Sequence, residues 1–98
     1  MSKKQETENI AAFYSAVLTL ETPDDCRKFF SDVCTPNELR SIAQRYAVAS
    51  MLEKGETYLE IAGKTGASTA TISRVNRSLV DGKGGYQIVW NRQGKEEG

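Results

Sequence analysis

Apolar positions recur with the period of a helix along nearly the whole chain. Ile10, Phe13, Tyr14, Val17 and Leu18 fall at i, i+3, i+4, i+7 and i+8, the apolar stripe of an amphipathic helix. Thr22-Pro23-Asp24-Asp25 then supplies a cap, a proline at the first helical position and acids in the first turn, where the helix dipole favours negative charge. A second helix is predicted from Pro23 to Val33, burying Cys26, Phe29, Phe30 and Val33. The clearest start is Thr35-Pro36-Asn37-Glu38, a capping box in which the Thr and Glu side chains satisfy each other's backbone donors. This third helix is predicted to run to Lys54 and to stop at Gly55. Leu39, Ile42, Ala43 and Tyr46 make a stripe in its first half, whereas Ala47, Val48, Ala49, Met51 and Leu52 spread apolar surface around its second. A helix apolar on several sides is a buried one, and in so short a chain that implies a central element wrapped by another subunit.

Thr57 and Glu60 repeat the capping-box spacing and open a short helix that Gly66 closes. Ser68 or Thr69 caps the next, which turns Ile72, Val75 and Leu79 inward. After the connector Asp81-Gly82-Lys83-Gly84-Gly85, the segment from Tyr86 to Arg92 reads as a brief final helix, with a short strand as the alternative that periodicity alone leaves open. Gln93 to Gly98 reads as a frayed tail. The expectation is an all-α fold of about six helices, a single domain over residues 1–98 with a helix-turn-helix at about 58–80.

Composition adds the compartment and removes chemistry. With 98 residues, 39% of them apolar and 27% charged, the chain resembles an ordinary globular domain. A chain this short builds a thin core, so an oligomer is expected. No apolar run approaches the ~18–20 residues of a membrane span. The charged start Met-Ser-Lys-Lys-Gln-Glu lacks a signal peptide's apolar segment, which places the protein in the cytoplasm. There is no histidine, the commonest general base and metal ligand. Cys26 and Cys34 cannot make a four-ligand zinc site by themselves and read as small structural hydrophobes. Neither catalytic nor metal-binding residues are assigned.

The segment from Tyr58 to Arg77 is more specific. Two short helices joined by a tight turn need a small residue where they pack, a glycine in the turn and apolar residues locking the pair. Ala62, Gly66, Ile61, Ala67, Ile72 and Val75 meet those demands at the spacing of a DNA-binding helix-turn-helix. Small and hydroxylated residues early in the second helix can approach base edges, and arginines can grip guanine or phosphate. The candidate DNA contacts are Lys64, Ser68, Thr69, Ala70, Thr71, Ser73, Arg74 and Arg77. Thirteen basic and thirteen acidic residues cancel overall, which argues at first against a nucleic-acid partner. Yet from Ile61 to Lys95 six bases face one acid, a net of +5, while Met1 to Glu60 holds seven bases and ten acids. The half with the motif is basic, as a phosphate-facing module requires.

The run from Thr35 to Arg45, Gly55-Glu56, the string Gly66-Ala67-Ser68-Thr69-Ala70-Thr71-Ile72-Ser73-Arg74-Val75 and Ser78-Leu79 resemble the tryptophan-repressor family, in particular its YerC/YecD branch. The resemblance covers roughly Ile10 to Arg92. It implies an intertwined homodimer that presents two recognition helices to successive major grooves of a near-palindromic double-stranded site, its half-sites about 34–36 Å apart. In tryptophan-binding members a threonine, two arginines and a serine surround the amino acid. Thr35, Arg45, Arg74 and Ser78 stand at those positions here and form, with Val75, a candidate effector pocket. The glycine that leaves room for the indole in those members is Val75 in this chain, and an added isopropyl group in a packed slot costs ~1–3 kcal/mol. No cofactor is therefore expected, and a corepressor, if any, is expected to be smaller than tryptophan. The first helix of the motif departs too: where tryptophan-binding members turn basic or polar side chains toward DNA, this chain has Leu59, Ala62 and Gly63, with Lys64 its single base.

Three functions are ordered by these features. The first is a dimeric site-specific regulator of transcription that represses by steric exclusion. The second is an accessory helix-turn-helix module for protein contact or for DNA binding by a mobile element or replication initiator; the chain after Leu79 is too short and glycine-rich for the zipper a stand-alone transposase partner carries. The third, a small enzyme, lacks clustered catalytic acids and histidine, and Lys83-Gly84-Gly85 lacks the preceding strand of a phosphate loop.

Overall fold

The capping residues set the helix boundaries. In the computed structural model, which describes residues 2–97 and side chains through residue 94, the elements are α1 (Lys3–Val17), α2 (Pro23–Val33), α3 (Pro36–Glu53), α4 (Tyr58–Thr65), α5 (Thr69–Asp81) and α6 (Gly85–Glu97). No strand occurs among the described residues. The segment 86–92 is helical, and α6 continues through Glu97, so residues 93–97 are not the frayed tail that the sequence suggests. Gln93, Lys95, Glu96 and Glu97 are good helix formers, and Gly94 alone does not end the helix. Gly98 lies outside the described residues.

Within the span read as one domain, the chain divides into two compact units, Met1–Leu39 and Arg40–Gly98. In the first unit, Thr22 Oγ1 accepts the Asp25 N–H at 3.0 Å while the Asp25 carboxylate accepts the Glu21 N–H at 3.1 Å, starting α2. These bonds hold the Asp25 carboxyl below its usual range, the Glu21 N–H contributing most. Phe13 of α1 stacks on Phe29 and meets Phe30 edge-on, with ring centroids 5.9 and 6.3 Å away. Phe29 and Phe30 are half-buried by this trio. Cys26, expected to be buried, is exposed, as is Val33, while Cys34 is half-buried and both thiols are free. The phenylalanine rings are the large side chains that α2 turns inward, leaving the smaller Cys26 outside their contact.

The second unit holds the buried core: Val48 and Ala49 of α3, Ile61 of α4, Ala67 of the turn, and Ile72 and Val75 of α5. Met51, Leu52, Ala62, Leu79, Tyr86 and Trp90 pack around it. Burial of α3 is confined to its second half, where the sequence spreads apolar residues around the helix; Ile42 remains about half exposed. Gly55 follows α3 with φ +84°, and the Glu56 N–H returns to the Met51 carbonyl at 3.1 Å. Farther on, Tyr86 and Trp90 of α6 stack with centroids 5.6 Å apart, and Trp90 Nε1–H donates to the Tyr46 hydroxyl at 2.9 Å. That bond ties α6 to α3 and satisfies the indole N–H, which an aromatic cluster would otherwise strand.

Candidate nucleic-acid interface

Thr57 and Glu60 form the capping box expected for α4: Thr57 Oγ1 accepts the Glu60 N–H at 3.2 Å, and the Glu60 carboxylate accepts the Thr57 N–H at 3.4 Å. Eight residues later α4 ends at Gly66, whose φ of +73° is in the left-handed region and whose N–H donates to the Ala62 carbonyl at 2.9 Å. An L side chain rarely adopts that conformation. The chain then needs a small buried residue, and Ala67 fills the place with 5% exposure. Its N–H donates to Thr65 Oγ1 at 3.1 Å, and Gln44 of α3 donates to the Thr65 carbonyl at 3.0 Å. The turn is thereby fastened to both α4 and α3.

Ser68, rather than Thr69, caps α5: its Oγ accepts the Thr71 N–H at 3.1 Å and donates to Thr71 Oγ1 at 3.1 Å. At about 100° per residue, Ile72, Val75 and Leu79 fall within one narrow arc, the arc packed into the core. Thr69, Ala70, Ser73 and Arg77 cluster on the opposite side, and all four are exposed. Arg74 and Ser78 lie on the flank between these faces, both exposed, with Thr71 half-buried beside them. The α5 surface can thus offer hydroxyls, a methyl and an arginine on its outward face and a second arginine on its flank. Ser68 and Thr71 are already committed to the cap, so their hydroxyls act first as builders of the helix start.

Lys64 departs from the sequence picture. Its Nζ lies 2.6 Å from Glu56 Oε1, and it lines a cavity of about 450 Å³ with Arg40, Ala43, Gln44, Ala47, Met51 and Thr65. The Glu56 carboxylate, by hydrogen bond and charge, holds the ammonium above its usual pKa, with a smaller contribution from Glu60. Sequence reasoning missed this partner because eight residues and a turn separate the two charges, a spacing outside the i, i+4 rule for pairs on one helix.

The five candidate effector positions are distributed as follows. Thr35 belongs to the first unit and caps α3: its hydroxyl accepts the Glu38 N–H at 3.1 Å, and its own N–H donates to Glu38 at 2.8 Å. Arg45 donates to Ser41 Oγ at 3.2 Å along α3. Ser78 donates to the Arg74 carbonyl at 3.3 Å. Val75 is only 3% exposed and packs in the core rather than on an open wall. A separate cavity of about 460 Å³ is lined by Tyr46, Ser78, Gly82, Lys83, Tyr86 and Val89, among others, and Ser78 is the effector-position residue on its wall. Lys83-Gly84-Gly85 follows a helix, not a strand, which removes the phosphate-loop geometry. Among the described residues no cluster of three or more His, Cys, Asp or Glu is placed to hold a metal, and no helix is long and apolar enough to cross a membrane.

Residues 8–94 match the family model described as Trp repressor protein. The chain belongs to the Trp repressor family. It is 44% identical over 89 residues to the uncharacterized protein YerC of Bacillus subtilis, covering 91% of this chain and 86% of that one, which places it in the YerC branch. Its fold is similar to a TrpR-like protein from Eubacterium eligens, with TM-score 0.87, 52% identity, and coverage of 95% of this chain and 96% of the other. It is also similar to a candidate Trp repressor from Staphylococcus aureus, with TM-score 0.85, 41% identity and 96% of each chain covered. In this family, all-α with a helix-turn-helix, the α4–turn–α5 unit is that motif.

Proposed function

We propose that the protein is a cytoplasmic, dimeric, site-specific DNA-binding regulator that represses transcription by excluding other proteins from its operator. The observation that carries this reading is α5 itself: anchored through Ile72 and Val75, it turns Thr69, Ala70, Ser73 and Arg77 outward from a segment of net charge +5. Thr69, Ala70 and Ser73 are assigned to base edges and thymine methyls in the major groove, and Arg74 and Arg77 to phosphate or guanine. Ser68 and Thr71 position that face and approach the backbone near the helix start. A homodimer supplies the second recognition helix, and the exposed Ile42, Tyr46, Ile88 and Val89 provide apolar surface for a partner subunit to cover.

The reading is that of a binding protein, not an enzyme. It also excludes tryptophan held as in tryptophan-binding relatives, because Val75 fills with packed side chain the position those relatives leave open. Selection of binding sites from sheared genomic DNA by the folded chain tests the proposal. It should enrich a near-palindrome whose half-sites are spaced by about one helical turn. Failure of a folded dimer to enrich any symmetric sequence, with or without added amino acids, would overturn it.

A further inference from the structure

The acidic residues around α4 are arranged to restrain its single base. Glu56 is fixed at two points: its backbone N–H is bonded to the Met51 carbonyl at the end of α3, and its side chain is only 18% exposed. From that anchored position its carboxylate reaches across the turn to Lys64 in the last turn of α4, 2.6 Å away. Glu60 cannot replace it as a close partner, because its carboxylate is committed to the Thr57 N–H and hydroxyl in the capping box. Glu56, Glu60 and Lys64 together carry a net charge of −1, so α4 and the turn before it present no excess cation while the pair is closed. The pKa of Lys64, raised chiefly by Glu56, agrees with a closed pair.

We propose that Glu56 acts as a restraint on DNA binding, holding the Lys64 ammonium on protein so that the helix-turn-helix engages phosphate through α5 alone. The consequence is discrimination. A cation free to swing onto any phosphate strengthens binding to every sequence equally, whereas a base tied to Glu56 adds nothing to nonspecific complexes and leaves selection to the outward face of α5. The inference rests on the DNA-binding reading above. It assigns to Glu56, which touches no DNA in this scheme, a positioning role exerted through Lys64.

The test is the salt dependence of binding to a nonspecific duplex for wild type, E56Q, K64Q and the double variant. Glutamine keeps the length of Glu56 and removes the charge that holds Lys64. E56Q is expected to bind tighter at 50 mM salt and to show a log K against log salt slope steeper by about 0.9, one phosphate contact's worth. Its advantage over wild type therefore shrinks about 3.5-fold between 50 and 200 mM salt. K64Q alone should leave the wild-type slope unchanged, and K64Q in the E56Q background should abolish the added slope. Retention of the E56Q gain in the double variant would show that removal of one acid, not release of Lys64, is responsible, and would overturn the proposal. So would a wild-type slope that falls by about 0.9 on K64Q, since Lys64 would then already sit on phosphate. K64Q alters an exposed side chain and keeps the test decisive if E56Q fails to fold. Absence of DNA binding by the wild type would overturn the parent reading, whereas wild-type binding with an unresponsive E56Q would overturn this inference alone.

Discussion

Val75→Gly separates the packing of α5 from its ligand chemistry. Val75 is 3% exposed and shares the core with Val48, Ala49, Ile61, Ala67 and Ile72. Removing its three side-chain carbons forfeits about 2.4 kcal/mol at roughly 0.8 kcal/mol per buried carbon. Placing glycine within a helix adds about 0.5 kcal/mol relative to valine. The sum is about 3 kcal/mol, and any unrelaxed cavity adds to it. Urea denaturation at fixed protein concentration, followed by circular dichroism, measures the loss; a value under about 1 kcal/mol would refute the core assignment. The same titration with saturating tryptophan tests the steric argument, because a ligand at 100 times its Kd stabilises by about 2.7 kcal/mol. Tryptophan should leave the wild-type midpoint where it is and raise that of Val75→Gly. A comparable rise in the wild type would refute the claim that the isopropyl group blocks the slot.

Gly66→Ala should destabilise the fold by about 1 kcal/mol: no atom lies within 4 Å of the added Cβ, so the cost is that of an L residue at φ +73°, reduced by the lower entropy of the unfolded chain. Denaturant unfolding checks this, and an unchanged or raised stability would contradict the left-handed turn. Glu38 should titrate below the ordinary glutamate range, because the Thr35 N–H and then its hydroxyl favour the charged form. A depressed folded pKa stabilises above the unfolded value, and that stability is lost as pH falls through the folded one. In a carboxylate NMR titration Thr35→Val should move the Glu38 pKa up only in part, since the backbone donor remains; an ordinary pKa in the wild type would contradict the capping box.

Much of this architecture is legible in the sequence because its helix starts are encoded locally. Thr22-Pro23, Thr35 with Glu38, Thr57 with Glu60 and Ser68 each close short hydrogen-bonded rings, and such rings depend on nothing distant. The α5 face is legible for the same reason, since helical period alone separates Ile72 and Val75 from Thr69 and Ser73. What escaped depends on contacts between elements. The helical state of 86–92 rests on Tyr86 and Trp90 packing beside Tyr46, a partner 40 or more residues away. The exposure of Cys26 follows from which α2 side chains the Phe13 ring engages. The Glu56–Lys64 pair needs the left-handed Gly55 turn and the length of α4 to bring its charges together.

The central claim, that the outward face of α5 reads base sequence, is tested most directly by repeating the site selection with Thr69→Val beside Arg77→Ala. Thr69→Val replaces a hydroxyl by a methyl at an exposed position, and it should change the preferred base at one symmetric pair of operator positions while leaving the rest of the site intact. Arg77→Ala should enrich the wild-type site with uniformly weaker affinity. An enriched site identical to the wild-type one, bound equally well by Thr69→Val, would contradict the assignment of α5 to the major groove.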